Sequence, residues 1–361
     1  EKGGQWQHAL SLISRMPAAQ AVPDEISFTA AISACERDGQ WQEALGMSAA
    51  MRAGGHEPSG IMWGSVLSGM ARGSCSSEIP AVLERLRVMW AGNSESVPGL
   101  PLLEGNHCMG SEHLSSSSSS HLPLQPRILL QAAGAVALFK PSGVTSEKLR
   151  DDMSVLLRAR GCKGGVTLVS RLDAPTSGVV PLALGDERSG AARWLQAQFA
   201  ARRVRKEYIC VCAGRSLGPE GTSGKINAPL LITEVECEGQ RAVPSPMGKE
   251  AETRYEVLEG FPWPGRPEDF LTLLLVRPRT GRTHQIRAHM ASIGRPLLGD
   301  QAYGGASSAG GVHCPRLFLH CRRLSLLDLA GASFEPQAPL PAELMEVLSL
   351  LRRGGSQRRS A

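Results

Sequence analysis

RPRTGRTHQIRAHMASIGRPLLGDQAYGG (residues 277–305) gathers five Arg and two His around a single Asp, with no Glu. The whole chain is far closer to balance, with 39 Lys and Arg against 34 Asp and Glu. So dense a cation cluster needs an anion: nucleic-acid phosphate, an acidic metabolite or a buried carboxylate. Inside the stretch, QIRAHMASIG (285–294) reads as a helix. Just before it, FLTLLLVRP (270–278) reads as a strand.

Working outward, AVALFK (135–140), GVTLVS (165–170), EYICVCAG (207–214) and AETRYEVLEG (251–260) also read as strands, and GAARWLQAQFAA (190–201) as a helix. Many strands and few helices imply an α+β fold built on a mixed sheet. The carboxylate to examine is Asp173, in SRLDAPTSGVVPLAL (170–184). It follows a strand and precedes a Pro-Thr-Ser-Gly turn, which is expected to aim a side chain out from a sheet edge. Spacing alone favours a simple turn former.

At 361 residues the chain is long enough for two or three domains, and 42% apolar residues can fill a normal core. Only 4% are aromatic, so that core rests on Leu, Val, Ala and Met. The net charge of +5 is compatible with a polyanionic partner. Nine Cys contain no CxxC pair; Cys210 and Cys212 alternate on one strand and should face the same side as buried, reduced thiols. No run approaches the ~18 apolar residues of a membrane-spanning helix, so no membrane partner is expected. The chain opens at Glu1 inside an unfinished motif and reads as a fragment.

Residues 1–92 repeat themselves. GGQWQHALSLISRM (3–16) returns as DGQWQEALGMSAAM (38–51), and Trp6/Trp41, Leu10/Leu45, Met16/Met51, Pro23/Pro58 and Phe28/Trp63 are all 35 apart. A fixed period of this size marks a solenoid of helical hairpins. Trp41, Ala44, Leu45, Ser48 and Met51 share one helix face. A third unit continues through IPAVLERLRVMW (79–90), where the alignment slips. Residues 93–126, with four Pro and the run Ser115 to Ser120, read as a flexible linker. Residues 127–351 form the third region, and the basic tail 352–361 is expected to be loose.

RLDAPTSG resembles the RLD-x-x-TSG motif of RluA-type pseudouridine synthases. LFKPSG (138–143), RKEYICVCAG (205–214), GKEAETRYEVLE (248–259), TGRTHQIRAHMASIGRPLLGDQAYGG (280–305) and LHCRRLSL (319–326) are similar to further motifs of that family, in the family's order. The likeness covers about 134–348. The first region resembles pentatricopeptide repeats, with one full unit at 25–59.

The first resemblance implies an enzyme that isomerises uridine to pseudouridine in structured RNA (rRNA, tRNA or mRNA), without cofactor or metal. It makes Asp173 the catalytic carboxylate, acting on the ribose at C1′ or on the 2′ proton. It makes Arg287 the guanidinium that keeps the carboxylate charged and oriented. Tyr208 would stack on the base and take or relay a proton, with Ile286 on the other side. The uridine must be flipped out of its helix, and Arg171 would fill the vacated space or hold the backbone. Arg279, Arg282, Arg202, Arg203 and Lys206 would hold phosphates, with His284 beside the RNA.

The chain departs from the family's pattern at Ser170 (usually His), at Ala174 and Pro175 (usually charged), and at LHC in place of LHA. Spacing favours structural hydrogen bonding for His284 and His289, and HCPRLFLHC (313–321) matches no common zinc pattern. Lys140 beside Pro141 reads as a surface charge or as part of a loop that shapes the site. The pentatricopeptide likeness implies repeats that read exposed bases. It also implies a mitochondrial or plastid location, with cytoplasm or nucleus as the alternative. A monomer is expected. Rival readings are a catalytically decayed RNA-binding or RNA-processing factor of an organelle, and an enzyme acting on an acidic metabolite.

Overall fold

Five amphipathic segments fold first along the chain: α1 (Trp6–Arg15), α2 (Glu25–Arg37), α3 (Trp41–Ala53), α4 (Gly60–Arg72) and α5 (Ile79–Gly92). The computed structural model describes residues 5–56, 58, 60–72, 77–92, 126–162, 164–235, 239–263, 266–309 and 311–356. Residues 93–125 of the expected linker and 357–361 of the tail lie outside them. The Asp24 carboxylate caps α2 by accepting from the Ser27 backbone N–H at 2.8 Å. Gly39, at φ +69°, then lets the chain reverse into α3. Ala44, Ser48 and Met51 are buried as the face pattern requires, with Trp41 and Leu45 packed against them. The slipped third unit is nevertheless helical, as α5.

Next come β1 (Arg127–Ala132), β2 (Ala135–Lys140), α6 (Ser146–Ala159), β3 (Val166–Leu168), β4 (Ser177–Leu184) and α7 (Gly190–Ala200). They are followed by β5 (Arg205–Arg215), β6 (Ser223–Asn227), β7 (Leu230–Val235), β8 (Gly239–Pro244), β9 (Glu252–Trp263) and β10 (Arg266–Pro278). The chain ends with α8 (Gln285–Ser292), β11 (Ser308–Ala309), β12 (Val312–His313), β13 (Leu319–Leu327), β14 (Ser333–Phe334) and α9 (Ala342–Ser356). Among the described residues, ten strands join one sheet in the order β1-β2-β4-β13-β5-β10-β9-β6, with β3 on β4 and β14 on β13. Its ladders are antiparallel except β4–β13, so the sheet is mixed, as expected.

Strand alternation divides the core. On β5, Tyr208, Cys210 and Cys212 face one side, and Ile209, Val211 and Ala213 face the other, where α9 supplies Leu344, Val347 and Leu351. The first face carries α7, anchored by Trp194 Nε1, which donates to the Asp328 carbonyl at 2.7 Å. The N-terminal helices share this face's core: Trp90, Leu86 and Met70 belong to the same apolar cluster as Trp194 and Leu195. Ser68 Oγ donates to the Ala200 carbonyl at 3.3 Å, and Arg87 Nη1 to the Leu329 carbonyl at 3.2 Å. The expected linker lies almost wholly outside the described residues, and the helices themselves pack against the enzyme core. They are seated on α7 through α4 and α5, while α2 and α3 pack on α4.

Two further expectations change. The tail begins in order: Arg352 lies within α9 and forms an ion pair with Glu259 at 2.8 Å. Asp173 does not sit at a sheet edge, since β4 runs between β2 and β13 in the interior of the sheet. Among the described residues no helix is long and apolar enough to cross a membrane.

Gly178 explains the TSG sequence. Its φ is +127°, and an added Cβ would lie 2.2 Å from the Cys321 carbonyl oxygen, where β4 and β13 meet. Gly178→Ala should destabilise the protein by at least ~3 kcal/mol, read as a lowered urea midpoint.

Candidate active site

Asp173 stands in the loop between β3 and β4, and that loop is held from below by the turn after β2. Lys140, fully buried, donates from Nζ to the carbonyls of Val144 (2.6 Å), Ala174 (2.9 Å) and Pro141 (3.1 Å). Ser142 Oγ donates to the Pro175 carbonyl at 2.8 Å, and the Gly143 N–H to the Ala174 carbonyl at 2.8 Å. Ser146 Oγ both accepts from the Leu172 N–H (3.0 Å) and donates to the Leu172 carbonyl (3.1 Å). The backbone on either side of Asp173 is thus fixed, leaving its side chain a quarter exposed. Lys140 is no surface charge. Burial lowers its pKa to about 8, opposed by the charge of Asp173.

The Asp173 carboxylate faces α8. Arg287 Nη1 approaches Asp173 Oδ2 at 3.7 Å, and His284 Nε2 approaches it at 3.9 Å. The guanidinium fork itself grips Asp300, from Nε at 2.8 Å and from Nη2 at 2.7 Å, with both side chains buried. The expectation that this fork orients Asp173 is corrected: the bidentate partner is Asp300, the lone Asp of the 277–305 block, and Asp173 meets only the remaining edge. Two hydrogen bonds in one plane fix a guanidinium more tightly than one distant charge does. Arg287 also lies over the Tyr303 ring at 4.9 Å. The Tyr303 hydroxyl sits 3.1 Å from His284 Nδ1 and accepts from the Ala242 N–H at 2.9 Å. His284 takes a left-handed backbone, φ +51°, to start α8. Burial lowers its pKa, with Asp173 opposing.

Tyr208 reaches the site from β5, and Ile286 from α8; both are almost fully buried. Burial first, and then neighbouring Cys321, push the Tyr208 phenol well above its ordinary pKa, so it is protonated at neutral pH. Register sets Cys321 of β13 opposite Tyr208, where the resembling motif has alanine.

These residues line a cleft of about 1380 Å³. Arg171, Arg202, Lys206, Arg279, Arg282 and His284 line it as well. Arg203 is exposed and does not. Lys206 turns inward: Nζ donates to Ser170 Oγ at 2.6 Å and lies over the Phe199 ring at 5.0 Å, and burial lowers its pKa. Its expected role as a phosphate holder is corrected to that of a pillar under Ser170. Arg202 is paired to Glu250 at 2.9 Å, and Arg282 Nε donates to the Glu250 carbonyl at 3.0 Å. Arg171 is 70% exposed and only loosely paired to Glu147, at 3.4 Å. Lys249, which the sequence reading passed over, is an exposed residue of the cleft lining.

His289 is structural, with Thr253 Oγ1 and the Ala228 carbonyl at its two ring nitrogens (2.8 and 2.9 Å). His320 contacts Ser177 Oγ and the Ala338 carbonyl in the same way. Among the described residues no cluster of His, Cys, Asp or Glu could hold a metal ion. Cys35, Cys210, Cys212, Cys314 and Cys321 are buried free thiols.

Two outcomes follow from this geometry. Asp300→Asn leaves the buried Arg287 cation without its charge partner and should cost on the order of 3 kcal/mol, visible as a lowered thermal midpoint. Lys140, with a pKa of about 8, loses its charge and one of three donors above that pH. The Asp173 loop then loosens, and kcat should show a descending limb centred near about 8 that is absent in Lys140→Met. Stability should move the other way. The unfolded chain keeps this proton up to about 10.5, so from this group folding becomes more favourable as pH rises from about 8 to 10.5.

A family model described as RNA pseudouridylate synthase matches residues 135–292. The dual-specificity RNA pseudouridine synthase RluA of Escherichia coli is 34% identical over 218 residues, covering 59% of this chain and 92% of that protein. The ribosomal large subunit pseudouridine synthase C of Vibrio parahaemolyticus is 33% identical over 238 residues, covering 64% and 70%. A solved structure, human RNA Pseudouridylate Synthase Domain Containing 1, aligns at a TM-score of 0.49 and 24% identity over 65% of this chain and 98% of that one. The cleft around Asp173 and the sequence relationship agree: this chain belongs to the RluA family of RNA pseudouridine synthases, isomerases that convert uridine in RNA to pseudouridine.

Proposed function

We propose that Asp173 is the catalytic carboxylate and that the target uridine is flipped into the cleft, with its base between Tyr208 and Ile286. One observation carries this: three distant chain segments bring Asp173, Tyr208 and the Ile286–Arg287 pair to a single cleft. The uracil leaves its ribose, turns and rejoins through carbon. Attack at C1′ and removal of the 2′ proton both require a charged Asp173, and the Arg287 guanidinium stands 3.7 Å from it. The buried Tyr208 phenol keeps its proton, which suits stacking and hydrogen-bond donation better than proton acceptance. Arg171, exposed at the cleft, is placed to fill the gap left by the flipped base. Arg279 and Arg282 would hold phosphates.

The substrate we infer is structured RNA: ribosomal, transfer or messenger. The period of 35 and the paired helices α2 and α3 support reading the N-terminal segment as pentatricopeptide-like repeats that help engage this RNA. Because such repeats are most often found in organellar proteins, we place the protein in a mitochondrion or plastid, acting as a monomer.

The deciding experiment is Asp173→Asn. Pseudouridine formation, read by chemical mapping, should fall at least ~10³-fold while RNA binding survives. Modification at the wild-type rate would remove Asp173 from the mechanism.

A further inference from the structure

The cleft around Asp173 is not closed by the catalytic core alone. Glu36 and Arg37, at the end of α2, and Ser68, on α4, are part of its lining. They are fixed there by packing. Gly64 of α4 approaches the Ala200 side chain so closely that an added Cβ would lie 3.4 Å from it, and Ser68 bonds to the Ala200 carbonyl. Gly69 of α4 in turn lets the Glu36 backbone approach, at 3.5 Å from the same construction. The helix α7 that receives these contacts ends at Ala200, two residues before Arg202, which also lines the cleft.

Charge separates the cations of this cleft into two kinds. Arg202, Lys206 and Arg287 are already engaged, by Glu250, Ser170 and Asp300. Arg37, Lys249 and Arg279 are exposed and have no carboxylate partner among the described residues. Arg37 therefore repeats, on the helical segment, what Lys249 and Arg279 offer on the core: an unneutralised cation facing the space beside Asp173.

We propose that the RNA strand flanking the target uridine threads between the end of α2 and the catalytic sheet, and that Arg37 neutralises one of its phosphates. The helical segment is thus a wall of the substrate cleft. This rests on the assignment of the cleft as the RNA site and deepens it. An apolar partner would gain nothing from Arg37, Lys249 and Arg279 in one cleft lining, whereas the phosphate chain of RNA meets all three.

The test measures single-site turnover on total structured RNA as a function of RNA concentration and salt, using the full chain. Arg37→Gln should raise KM by about 3- to 10-fold and reduce the salt slope of binding by about 0.7–1, leaving kcat at saturating RNA unchanged. Arg353→Gln, at an exposed position of α9 on the opposite face of the sheet, should change neither quantity. An unchanged KM and salt slope in Arg37→Gln would overturn the proposal, as would a fall in kcat with KM intact. Either result would leave the assignment of Asp173 standing, because Asp173→Asn tests that independently. A circular dichroism spectrum and thermal midpoint equal to wild type exclude misfolding as the cause of a raised KM.

Discussion

The interaction on which the site depends is the bidentate grip of Asp300 on Arg287. A buried guanidinium is costly unless its hydrogen bonds are met, and here two are met in one plane at 2.7 and 2.8 Å. With the fork fixed, the third nitrogen is left pointing at Asp173, and the flat face lies on Tyr303. Tyr303 then positions His284, and His284 sets the unusual backbone that starts α8. The cation beside Asp173 is thus pre-set by Asp300 and Tyr303, which lie behind the cleft lining. Preorganised charge of this kind costs no rearrangement when the reaction occurs.

A second support lies on the opposite side of Asp173. Lys140 carries its charge into the core and distributes it over three carbonyls, one of them in the Asp173 loop. Between Lys140 beneath and Arg287 in front, the carboxylate is flanked by two buried cations of different kinds. One is a compact ammonium that organises backbone. The other is a planar guanidinium that organises side chains. Ser146 completes the frame by satisfying both polar groups of Leu172.

The N-terminal helices alter the picture of a tethered accessory segment. Their apolar faces pack against α7, so the N-terminal helices and the catalytic sheet share one core. A rigid wall can align RNA with the active carboxylate at lower entropic cost than a reader on a loose chain. The same seating makes the end of α2 part of the cleft lining beside Asp173.

Local sequence determined a good deal. Alternating Cys210 and Cys212 foretold one buried strand face, and the period of 35 foretold hairpin helices. The order of RLD, K-x-Y and HQIR motifs foretold which residues share a site. These features are legible because they depend on periodicity and on short stretches whose geometry is local. Helices α6 and α9 carried local helical patterns that went unread; the inward turn of Lys206, the burial of Lys140 and the partner of Arg287 were not legible. Each depends on what lies across a gap: Ser170, three carbonyls, Asp300. Asp300 stood in the opening stretch itself, 13 residues from Arg287, yet the family resemblance assigned the guanidinium to Asp173 alone. Only the tertiary structure could choose, because two carboxylates compete for one fork and the backbone geometry around α8 sets which of them lies in its plane.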